Sequence, residues 1–123
     1  LYEDINMTRP LWWAIWIGPQ QQHEPGTALG TKCPLDYPIS KKCPTQGCVT
    51  FNNITLRRIF IDRPLLSPGV VLGNATNPMT SVVFDQVVVK DGGKWPFDQT
   101  YQCEHADVKS IGGTSPVPQC RGN

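Results

Sequence analysis

Phe51-Asn52-Asn53-Ile54-Thr55-Leu56 and Phe84-Asp85-Gln86-Val87-Val88-Val89 share one order of side chains: an aromatic ring, two polar residues, then apolar, any residue, apolar. Tyr2-Glu3-Asp4-Ile5-Asn6-Met7 is a third copy. A second matching piece follows two of the copies, with Ala14-Ile15-Trp16-Ile17-Gly18 lining up with Gly69-Val70-Val71-Leu72-Gly73. Alternation within such triplets predicts short strands with Ile54/Leu56, Ile59/Ile61 and Val70/Leu72 turned inward and Thr55, Phe60 and Val71 outward. Strands this short suit a solenoid, in which each turn of chain lays short parallel strands on the previous turn and buries a shared interior column. The polar pairs Asn52-Asn53 and Asp85-Gln86 mark its corners. A generic all-β sandwich is the competing architecture, and it leaves the recurrence of the six-residue pattern unexplained.

Between the copies, Pro and Gly break the chain. At 123 residues it is a single domain, 1–123, with coil turns at about 1–18, 48–74 and 80–91. Residues 19–47, with Gln20-Gln21-Gln22 and six Pro or Gly between Pro25 and Pro44, form a long inserted loop, and residues 92–123 form an irregular tail that caps the last turn. Gly 11 and Pro 12 argue against long helices, and a formal net charge of +1 gives no drive toward nucleic acid. Leu11 to Ile17 is the longest apolar stretch, well short of the roughly 18 to 20 residues that span a bilayer.

The five cysteines are Cys33, Cys43, Cys48, Cys103 and Cys120, all set in loop-like sequence. Cys103 and Cys120 bracket the tail and are expected to staple it, while one pair among Cys33, Cys43 and Cys48 staples the loop and leaves one sulfur without a mate in this chain. The sequons at Asn6, Asn53 and Asn74 exceed what this composition places by chance and are expected to carry N-linked glycans. Together these features indicate an extracellular, secreted protein. Cys43 and Cys48 do not form a C-x-x-C pair and the two histidines lack ligand spacing, so no metal site is expected.

The run Val49 to Leu56, the segment Pro64-Leu65-Leu66-Ser67-Pro68-Gly69-Val70-Val71-Leu72-Gly73 and the run Thr80 to Val89 resemble the C-terminal turns of polygalacturonase-like proteins, glycoside hydrolase family 28. The resemblance implies the pectin-lyase-like fold, a right-handed parallel β-helix, over roughly residues 1–17 and 48–90. That family's Asn-Thr-Asp, Asp-Asp, Gly-His-Gly and Arg-Ile-Lys strings are absent here, so no catalytic residue carries over.

Glycoside hydrolysis needs two carboxyl groups facing one sugar ring. The acids here are scattered: Asp4 and Asp85 at corners, Asp62 and Asp91 beside Arg63 and Lys90, Glu24 and Glu104 in loops. The binding-type residues are Trp12 and Trp16, expected on an outer face where their rings could stack on sugars or pack beneath the long loop, with Trp13 inside and Trp95 anchoring the tail. About two and a half turns fall short of the three or so that a solenoid needs. The first coil, residues 1–17, is therefore expected to be covered by preceding sequence or by another chain, the latter able to build a fibre. The expected function is a non-catalytic extracellular module, structural or carbohydrate-associated; the alternative is the C-terminal portion of a pectin-type hydrolase whose acids lie upstream. No cofactor is expected beyond the glycans.

Overall fold

The computed structural model describes residues 1–18, 43–45 and 47–122. Every regular element among them is a strand: β1 (Tyr2–Thr8), β2 (Ile15–Ile17), β3 (Asn52–Asp62), β4 (Gly69–Leu72), β5 (Met79–Lys90), β6 (Tyr101–Glu104), β7 (Ala106–Ile111) and β8 (Cys120–Arg121). They form two four-stranded sheets, ordered β1-β3-β5-β7 and β2-β4-β6-β8, with every pair parallel. A parallel pair cannot be closed by a tight hairpin and needs a crossover. Here each crossover runs through a strand of the other sheet, so one passage of the chain adds a strand to both. The expected all-β class is what this chain adopts.

The long strands bend at single residues. Asn53, Arg58 and Arg63 have φ of 56°, 51° and 50°; Ser81, Gln86 and Asp91 have 55°, 55° and 51°; Asp4 and Arg9 have 57° and 51°. A left-handed residue turns the chain and resets the alternation of its side chains. The inward set of β3 is therefore Ile54, Leu56, Ile59 and Ile61, and that of β5 is Val82, Phe84, Val87 and Val89. Parallel register stacks these corners: Glu3 lies beside Arg57 and Arg57 beside Asp85. At the next corner the Arg9 N–H donates to the Asp62 carbonyl and the Arg63 N–H to the Lys90 carbonyl, both at 2.8 Å.

This register corrects the alignment of the sequence copies. Tyr2 and Phe84 both flank Leu56, not Phe51. The middle copy is Leu56-Arg57-Arg58-Ile59-Phe60-Ile61, because corners at every fifth position write the same pattern twice into β3. A second correction concerns β4. Ile15, not Ala14, pairs with Gly69, and a one-residue shift exchanges the faces of a strand. Val71 consequently joins Ile15 and Ile17 in the interior, while Val70 and Leu72 face the opposite side. Gly69 permits the close approach, since a Cβ there would lie 2.5 Å from the Ile15 carbonyl oxygen. Phe60 points outward as expected, 48% exposed.

The main core lies between the sheets and centres on Phe84, Ile61, Met79, Val82 and Val87, with Tyr101 edge-on to Phe84 at 5.4 Å. Residues 92–123, read as an irregular tail, supply β6, β7 and β8 and so continue both sheets. Thr114 closes the far end. Its buried hydroxyl lies 2.9 Å from the Phe84 carbonyl and 2.8 Å from that of Ile111, and accepts the Val87 N–H at 3.2 Å.

Candidate functional site

Leu11-Trp12-Trp13-Ala14-Ile15-Trp16 leads into β2, and the inward turn of Ile15 and Ile17 sends Trp16 to the other face, beside Val70. There Trp13, Trp16, Phe97 and Cys43 cover Val70 and Leu72. Trp13 is the hub: it stacks on Phe97 at 5.7 Å and 19°, meets Trp16 at 6.0 Å and takes Trp12 edge-on at 6.4 Å. Its indole nitrogen is buried without a hydrogen-bond partner. Trp13 was expected inside the solenoid, but it precedes the strand, where alternation does not hold, and it packs outside with Trp16. Phe97 rather than Trp95 is the residue that anchors this stretch, and Trp95 is 51% exposed.

Trp12, 54% exposed, stands at the open end of the cluster. The crossovers beside it are layered: the Leu65 N–H donates to the Pro10 carbonyl at 3.1 Å and the Ser67 N–H to the Trp95 carbonyl at 2.9 Å. Leu11, Trp12, Leu65 and Trp95 are all exposed along this edge of the molecule. Trp16 is half-buried. Of the two tryptophans singled out for sugar stacking, Trp12 offers the more open ring.

Among the described acids, Glu3, Asp4, Asp62, Asp85 and Glu104 are engaged by neighbouring side chains. Arg58 donates through Nε to Asp4 at 2.5 Å and through Nη2 to Glu3 at 2.9 Å, and Arg57 pairs with Asp85 at 3.1 Å. The hydrogen bond from Arg58, with its positive charge, holds the Asp4 carboxyl below the usual carboxylate range. That direction is opposite to what a proton-carrying glycosidase acid requires. Asp62 pairs with its neighbour Arg63 at 2.9 Å, and Glu104 accepts from Gln102 at 3.0 Å. A cleft of about 240 Å³ between Pro68, Val89, Gln99 and Pro116 contains one acid, Asp91. No group of three His, Cys, Asp or Glu side chains able to hold a metal ion occurs among the described residues. His105 sits at a left-handed corner with Nδ1 3.3 Å from the Gly122 carbonyl. His23 and Glu24 lie outside the described residues.

Cys103 and Cys120 form a disulfide between neighbouring strands β6 and β8, with Cα atoms 4.4 Å apart. Cys43 is also disulfide-bonded, Cys48 is an exposed thiol, and Cys33 lies outside the described residues. Disulfides fit an oxidising compartment, and no helix among the described residues is long and apolar enough to cross a membrane. The three sequons differ in setting. Asn6 is exposed on β1 beside Phe60, not beside the level of Thr55 as expected, and Asn53 is exposed at a corner. Asn74 is half-buried and hydrogen-bonded through both its amide nitrogen and its oxygen. The five-residue spacing of the left-handed residues Asn53, Arg58 and Arg63 is the sequence signal for the corner at Asn53, and it says nothing of Asn74.

No protein-family model matches the chain, and no curated protein or solved structure is significantly similar to it.

Proposed function

We propose that this chain is an extracellular, N-glycosylated module without catalytic residues of its own, structural or carbohydrate-associated, built as part of a right-handed parallel β-helix of the polygalacturonase-like kind. The observation that carries the reading is the sheet order: two parallel sheets whose strands alternate along the chain, each passage adding a layer to both. Parallel crossovers are overwhelmingly right-handed. At one end of this stack, among the described residues, β1 and β2 each pair on one side, and Ile5 and Met7 are only partly buried. Unpaired strand edges with apolar neighbours recruit further strands. Preceding residues of a longer protein, or a second chain in an end-to-end stack, cover this first coil. Trp12, at the exposed edge, supplies a ring on which a polysaccharide can stack.

Sedimentation velocity on this chain over a range of concentrations tests the open end. Concentration-dependent growth supports it; a sharp monomer at all concentrations, with native circular dichroism, overturns it. A second reading, the C-terminal portion of a pectin-type hydrolase, is favoured by the resemblance of the runs Val49 to Leu56 and Thr80 to Val89 to that family. Reading the parent transcript upstream of Leu1, and assaying its product for reducing ends released from polygalacturonan, separates the two. Paired upstream acids with activity decide for the hydrolase.

A further inference from the structure

Asn74-Ala75-Thr76-Asn77 forms a turn in which the Asn77 N–H donates to the Asn74 carbonyl at 3.1 Å. Its two carboxamides grip the segment that leads into β3. Asn74 Nδ2 donates to the carbonyl and the hydroxyl oxygens of Thr45, each at 3.0 Å. Asn77 Nδ2 reaches the carbonyls of Gly47 at 2.9 Å and Val49 at 3.1 Å and the Thr50 hydroxyl at 3.2 Å. On its other side Asn74 Oδ1 accepts the Thr76 N–H at 2.9 Å and the Thr76 hydroxyl at 2.7 Å. Gly47 packs against these same atoms, so that a Cβ there would stand 2.9 Å from Thr76 Oγ1 and 3.1 Å from Asn74 Oδ1.

The atom that would receive a glycan is Asn74 Nδ2. Transfer from a lipid-linked oligosaccharyl diphosphate forms a bond from that nitrogen to the sugar carbon, breaks the sugar–phosphate bond and removes one amide proton. A C–N single bond is about 1.45 Å, so a sugar carbon in place of a proton aimed at Thr45 would stand about 1.5 Å from the oxygen. The segment could not remain in place. Asn6 and Asn53, by contrast, are exposed.

We propose that Asn74 serves as a fastener and not as a glycan carrier: N-linked modification there and closure of Thr45, Gly47, Val49 and Thr50 onto the 74–77 turn exclude one another, so that the folded protein carries its glycans at Asn6 and Asn53. The inference rests on the secretory reading above. Its test is expression in a eukaryotic secretory host, followed by enzymatic deglycosylation in ¹⁸O water and site-resolved mass spectrometry of the secreted, protease-resistant protein. The expected result is labelled Asn6 and Asn53 with Asn74 several-fold lower, and a rise at Asn74 in an Asn77→Ala variant, whose clasp is loosened while its sequon is intact. Equal occupancy of all three sites in wild-type protein overturns the fastener and leaves the secretory reading standing. Absence of label at every sequon overturns the secretory reading, and the fastener with it.

Discussion

At the scale of single residues, the unusual choice is at the corners. Asn and Asp tolerate the left-handed region, but Arg9, Arg58, Arg63 and Gln86 also occupy it, at a cost of about 1–2 kcal/mol each. The stacked backbone hydrogen bonds on either side hold them there. Replacing Gln86 with Val adds a β-branched clash at φ 55° and should destabilise by about 2 kcal/mol, whereas Gln86→Gly should be close to neutral, the relief of strain offsetting the entropy of the freer unfolded chain. Urea denaturation of both variants checks this. Asp4 gives a pH dependence of definite sign. Its carboxyl is lowered in the folded state by Arg58, so its contribution is present above the unfolded value and is lost as pH falls through the folded one. Melting temperatures of wild type and Asp4→Asn should differ at neutral pH, converge in acid, and differ less in high salt because the pair is exposed.

Among elements, the short strand β8 depends on a covalent tie. The Cys103–Cys120 bond closes a separation of 17 residues, and a loop of that size contributes about 3 kcal/mol. A Cys103→Ala/Cys120→Ala variant should lose about that much in denaturation, with hydrogen exchange rising first in β8 and β6. This staple was readable from sequence because two cysteines bracket the last segment and no other cysteine lies near them. The strands themselves were also readable, since the apolar runs Ile59-Phe60-Ile61 and Val87-Val88-Val89 are each bounded by polar residues, Arg58 and Asp62 in one and Gln86 and Lys90 in the other. The faces of β4 were not. Val70-Val71-Leu72 is apolar throughout because aromatic rings bury its outer side too, and a strand covered on both faces shows no period. The Trp13–Phe97 stack escaped notice because it joins residues from distant passages of the chain, and the Asn74 and Asn77 clasp because a sequon and a hydrogen-bonding carboxamide look alike in sequence.

For the whole molecule, the two sheets share one interior, so a cavity at its centre is felt by both. Phe84 is fully buried, with strand neighbours Leu56 and Ser110 and Tyr101 against its ring. Phe84→Ala should cost about 3–5 kcal/mol, seen as a single cooperative transition at lower denaturant in which strands of both sheets lose protection together. Register also fixes how the molecule repeats: Arg57 and Asp85, side by side, are 28 residues apart in the chain, whereas Arg58 and Asp4, equally side by side, are 54 apart. The difference is absorbed where the chain passes from β2 to β3. Tandem duplication of such a unit would lengthen the protein without redesigning it, provided each join fell in a crossover; genetic gain or loss of material is therefore tolerated at the perimeter and forbidden along the stacked columns.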